Sequence, residues 1–120
     1  MRTIPLYGLL ITSLALAATA ADDVVGKYIC FGTHPYNAGR YACKVEITRA
    51  GEVYRIRWAF EEGYDYGGVG VVKDGYLCVG YESHVGYGVA LYKVDADGVL
   101  DGVFGLPGFK EIGTERLHRD

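Results

Sequence analysis

Apolar and polar residues alternate with a period of two through most of the chain after residue 40. Tyr41, Cys43, Val45 and Ile47 fall on one side of an extended backbone, and Arg40, Lys44, Glu46 and Thr48 on the other. This predicts a strand over 40–48 with one buried and one wet face. The alternation is strongest over 52–60, where Tyr54, Ile56, Trp58 and Phe60 oppose Val53, Arg55 and Arg57, and it places Trp58 in the core. Similar segments at 24–33, 64–73, 76–81, 87–95, 99–104 and 112–119 complete a set of eight. Turn chemistry separates them: His34-Pro35-Tyr36-Asn37-Ala38-Gly39, Ala50-Gly51, Glu61-Glu62-Gly63, Lys73-Asp74-Gly75, a loop over 82–86, Asp95-Ala96-Asp97-Gly98 and Gly105-Leu106-Pro107-Gly108.

Eight short strands with short connections and no crossover helix predict an all-β fold, a small antiparallel up-and-down barrel whose last strand closes on its first. An open β-sandwich is the alternative. The glycines at 67, 68 and 70 suit a bulge or a close approach of neighbouring backbone, and sharp corners in a small barrel. Tyr54, Ile56, Trp58 and Tyr92 are expected to fill the interior.

The first residues read differently. Arg2, an apolar run over 6–16 and Ala18-Thr19-Ala20 form the pattern of a cleaved signal peptide, leaving residues 21–120 as one domain exported to the periplasm or beyond. The run is too short for a membrane span, and no later stretch approaches that length. The formal charge of −3 argues against nucleic acid as a partner. Export also bears on the three cysteines. A hairpin centred between Tyr36 and Asn37 sets Cys30 opposite Cys43, and an oxidising compartment lets that pair form a disulfide. Cys78 is left as a small buried apolar residue or a free thiol.

Catalytic constellations are absent from the pattern. The glycine-rich segments match neither phosphate-loop motif, and Asp95-Ala96-Asp97-Gly98 lacks the later ligands of a calcium loop. Glu61, Glu62 and Asp65 read as solvated turn residues, and Ser83 and His84 are neighbours whose side chains point apart in extended chain. His34, His84 and His118 have no metal-ligand spacing, and the cysteines lack a CxxC. No enzyme activity, metal or cofactor is expected. Tyrosine is the informative excess, at eleven residues. Tyr64, Tyr66, Tyr81 and Tyr87 lie beside glycine-bounded loops, which suits contact with an extracellular protein or glycan. An apolar ligand held inside by Tyr54, Trp58 and Tyr92, or inhibition of an enzyme, are the other readings.

The order of these pieces carries a resemblance. Gly26-Lys27-Tyr28, Gly39-Arg40-Tyr41, Val45-Glu46-Ile47-Thr48 and Val53-Tyr54-Arg55-Ile56-Arg57-Trp58 are followed by Gly68-Val69-Gly70 and Leu77-Cys78-Val79-Gly80-Tyr81. Gly88-Val89-Ala90-Leu91-Tyr92, Leu100-Asp101-Gly102 and Gly113-Thr114-Glu115-Arg116-Leu117 complete the series. Together they resemble a family of small exported bacterial proteins labelled fibronectin-binding. The chain departs from it at Val103-Phe104, where a tryptophan is common, and at Cys78, where an aliphatic residue is usual. The resemblance implies the barrel and a matrix-protein partner, and it supplies no catalytic residues.

Overall fold

The computed structural model describes residues 24–120, so the signal segment expected over 1–20 lies outside the described residues. The strands are β1 (Gly26–Thr33), β2 (Arg40–Ala50), β3 (Val53–Phe60), β4 (Asp65–Lys73), β5 (Tyr76–Ser83), β6 (Gly86–Val94), β7 (Leu100–Gly105) and β8 (Gly113–Arg119). Each pairs antiparallel with its sequence neighbour, and β8 closes on β1 from Tyr28↔Arg119 to Thr33↔Thr114. The barrel is therefore closed, and the sandwich alternative is excluded. Closure leaves no unpaired sheet edge.

The elements follow from local chemistry. Asp74 and Gly75 both have positive φ, at 53° and 83°, and form the type I′ turn that matches strand twist between β4 and β5. The loop expected over 82–86 is shorter than the sequence implied, because β5 and β6 remain paired as far as Ser83↔Gly86. There the Ser83 hydroxyl donates to the Gly86 carbonyl at 2.8 Å. Pairing of β4 is continuous on both sides, so its glycines make no bulge.

Those glycines, and others, solve a packing problem instead. Gly32 lies opposite Tyr41, Gly88 opposite Tyr81, Gly102 opposite Tyr92 and Gly113 opposite Phe104. In each pair the aromatic ring lies over the glycine on the neighbouring strand, where a Cβ would overlap it. Four rings thus lie against the inner wall, covering backbone that would otherwise face an empty lumen.

The two ends of the lumen differ. At the end that holds Val24 and Asp120, Val24 is buried and its carbonyl accepts the Tyr28 hydroxyl at 2.7 Å. The Arg119 guanidinium covers the Tyr28 ring at 4.9 Å, and Arg49 covers Tyr54 at 5.3 Å. Tyr28, Ile47, Ile56, Leu77, Val79, Tyr92, Leu100 and Leu117 fill the middle. The opposite end, formed by the β1–β2, β3–β4, β5–β6 and β7–β8 connections, is open.

The outer wall is also two-sided. On β2 and β3 it carries Lys44, Glu46, Arg55 and Arg57, whereas on β4 to β7 it exposes Val69, Val71, Val89, Leu91 and Val103. Arg57 donates to Asp65 from Nε at 2.8 Å and from Nη2 at 2.6 Å, with both side chains half or more exposed. Solvent screening makes such a pair weak, so Arg57→Ala is expected to cost no more than about 1 kcal/mol in a denaturant melt.

Candidate functional site

The open end is a well lined by aromatic rings, with a volume of about 550 Å³. Its rim comes from connections: His34 and Tyr36 from β1–β2, Tyr64 from β3–β4, His84 from β5–β6 and Phe109 from β7–β8. Its wall comes from inward positions of strands: Tyr41 on β2, Phe60 on β3, Tyr66 on β4, Tyr81 on β5 and Phe104 on β7. The rings support one another. Phe60 and Tyr64 stack at 4.9 Å and 22°, Tyr36 meets Phe109 at 5.4 Å, and His34 sits 4.9 Å from Tyr36 and 4.6 Å from Tyr41. The Tyr66 hydroxyl is 2.7 Å from His84 Nδ1, which ties the β4 wall to the β5–β6 turn.

Burial among rings lowers the affinity of His34 for a proton, and the carboxylate of Glu62 opposes this. Tyr66 is pushed up to about 12, by desolvation first and by Tyr64 second. Desolvation likewise raises Tyr41 and Tyr81. The wall hydroxyls are thus neutral donors and acceptors over the physiological range.

Beneath the well a cavity of about 40 Å³ is bounded by Tyr41, Trp58, Phe60, Tyr66, Tyr81, Phe104 and Glu115, and it has room for one water. Glu115 is 6% exposed and is the buried charged residue of the described chain. Its Oε2 accepts the Tyr92 hydroxyl at 2.9 Å and its Oε1 accepts the Cys30 thiol at 2.8 Å. Desolvation raises its proton affinity, against the pull of those two donors and of the nearby Trp58 indole. The indole N–H itself makes no hydrogen bond of good geometry, and it is the buried side-chain polar atom left without a partner among the described residues.

The tyrosines expected at the surface are only partly gathered here. Tyr64, Tyr66 and Tyr81 line the well. Tyr87 does not, because the period of two on β6 turns Gly88 inward and leaves Tyr87 outside, 70% exposed. It borders a shallow depression of about 830 Å³ on the outer wall, floored by Gly67, Gly68 and Gly80 and open to solvent. The interior trio is also divided: Trp58 lies at the foot of the well, Tyr92 behind Glu115, and Tyr54 at the far end against Arg49. All three are packed core residues.

Cys30 and Cys43 are paired in register as the hairpin demands, no disulfide joins them in this structure, and the Cys30 thiol donates to the Glu115 carboxyl. Cys78 is a free thiol but is exposed, on the outward face of β5, and not buried. Ser83 and His84 do not interact, since one bonds Gly86 and the other Tyr66.

Sequence reasoning missed Glu115, although a signal existed. Gly113, Glu115 and Leu117 share the inward face of β8, and a carboxylate at an inward position flanked by buried residues is unusual enough to flag. His34, Tyr36 and Phe109 carried no such signal, because loops meet at the barrel end only after closure. The fold and the well define a small closed β-barrel with a concave aromatic end. In comparisons with known proteins, no family model and no curated protein matches the chain.

Proposed function

We propose that the protein is an exported, non-enzymatic binding protein that takes a glycan end group in its aromatic well. The observation that carries this is the convergence of Tyr36, Tyr64, Tyr66 and Tyr81 with His34 and His84 around one concavity of ligand size. Ring faces accept the apolar face of a sugar, and hydroxyls and imidazoles at the rim meet its polar edge. The acidic groups near the rim, Glu61, Glu62 and Asp65, are exposed and do not form a desolvated acid–base pair, which favours binding over hydrolysis.

Titration of the purified domain with an oligosaccharide panel, followed by tyrosine and tryptophan emission, tests the reading. Tyr64→Ala is expected to weaken binding about fivefold to tenfold, the loss of about 1–1.4 kcal/mol. Tyr87→Ala is expected to leave affinity unchanged. Equal effects at the two positions would place the ligand elsewhere.

A second reading, recognition of a matrix protein such as fibronectin, is favoured by the exposed Val69, Val71, Val89, Leu91 and Val103 across β4 to β7. Leu91→Asp would abolish that binding and spare the glycan.

A further inference from the structure

The core brings together three side chains able to ligate a metal, with no cationic side chain buried beside them. Cys30 on β1, Cys43 on β2 and Glu115 on β8 each offer a ligand atom, and the two sulfurs and the carboxylate oxygen all lie within 4.8 Å of one another. All three are buried, and no lysine, arginine or histidine is buried with them among the described residues. A soft divalent ion needs such a set. With Zn–S near 2.3 Å and Zn–O near 2.1 Å, tetrahedral ligand atoms stand about 3.5–3.8 Å apart, a spacing that small side-chain rotations reach from the present arrangement.

We propose that Cys30, Cys43 and Glu115 form a buried site for Zn²⁺ or another thiophilic divalent ion, with the fourth position facing the small cavity under the well. Two further observations fit this chemistry. The Tyr92 hydroxyl already holds Glu115 Oε2 at 2.9 Å, which leaves Oε1 on the side of the Cys30 sulfur, as an outer partner orients a metal carboxylate. The Trp58 indole N–H, buried and unpartnered, lines the same cavity as Glu115 and can donate to a water or anion in the fourth position. Coordination passes the Cys30 and Cys43 thiol protons to solvent, binds the Glu115 carboxylate through one oxygen and breaks no other bond. The site with Zn²⁺ then carries one net negative charge, facing the Tyr92 O–H and Trp58 N–H.

The inference is independent of glycan binding in the well. Its test uses the mature chain carrying Cys78→Ser, which removes the surface thiol, purified reduced and without oxygen. Added Cd²⁺ should bind one equivalent with thiolate-to-metal charge-transfer absorption, and Zn²⁺ should displace it and raise Tm. Cys43→Ser should abolish the two-thiolate band. Tyr92→Phe should weaken binding about tenfold to a hundredfold, and Glu115→Gln, which removes a ligating carboxylate, more than Tyr92→Phe, each leaving the band in place at saturation. Apo melting curves show whether each variant folds, and the stoichiometry and absorption of the Cys78→Ser chain decide the question if one does not. Three results would overturn the site: no stoichiometric uptake, a band insensitive to Cys43→Ser, or a Cys30–Cys43 disulfide in the chain isolated from its compartment.

Discussion

Trp58→Ala is expected to destabilise the barrel by about 3–5 kcal/mol, seen as a fall in Tm of about 12–40 °C for a domain of this size. Trp58 is 4% exposed and meets Tyr81 at 5.5 Å, so it forms the partition between the filled middle and the open well. Its removal joins the 40 Å³ cavity to the space the indole occupied and leaves Glu115 facing an enlarged void. Trp58→Phe should cost much less, because it keeps a ring against Tyr81 and deletes the unpartnered indole N–H. A Trp58→Ala chain melting within a few degrees of the parent would show that the partition adds little.

Gly102→Ala should be the next most damaging, at about 1–3 kcal/mol in a denaturant melt, although it adds one methyl group. The new Cβ would overlap the Tyr92 ring and come within 3.0 Å of the Leu91 carbonyl. Tyr92 has no room to retreat, since it is 1% exposed and its hydroxyl is held by Glu115. The Tyr41 ring over Gly32 borders the well and can swing into it, so alanine there should cost less and narrow the mouth. At Gly88 and Gly113 a Cβ also meets a backbone carbonyl at 2.7 Å, of Gly105 and Thr33, and ring movement gives no such relief. Gly80→Ala is the control: a Cβ there meets nothing within 4 Å, and the change should stay within about 0.5 kcal/mol. If the ring is the cause, the cost of Gly102→Ala shrinks in a Tyr92→Leu background, whereas additive effects would assign it to the backbone.

Much of this architecture was legible in the chain. Alternation gave the strands to within a few residues, and the residues expected to fill the interior, Tyr54, Ile56, Trp58 and Tyr92, are all buried. The hairpin arithmetic that set Cys30 opposite Cys43 was correct as register, because a turn centre fixes every pair above it. It said nothing about what else reaches the sulfur. Glu115 is 85 residues from Cys30 in sequence, and only the β1–β8 seam makes them neighbours. The absence of a CxxC therefore carried little weight against a metal site, since its ligands come from three separate strands.

The functional surface divides along the same line. Tyr64 and Tyr87 looked equivalent in sequence, each beside a glycine and a loop, yet one stands on the rim and the other on the outer wall. Period-two geometry assigns a face but not which loops meet. Sequence alone determined the strand number, the inward face of the strongly alternating β2 and β3, and the turns, because these depend on side-chain alternation and local backbone preference. Tertiary structure alone decided that four loops gather at one end, that rings lie over glycines, and that Cys30, Cys43 and Glu115 converge, because closure joins residues with no local relation to one another.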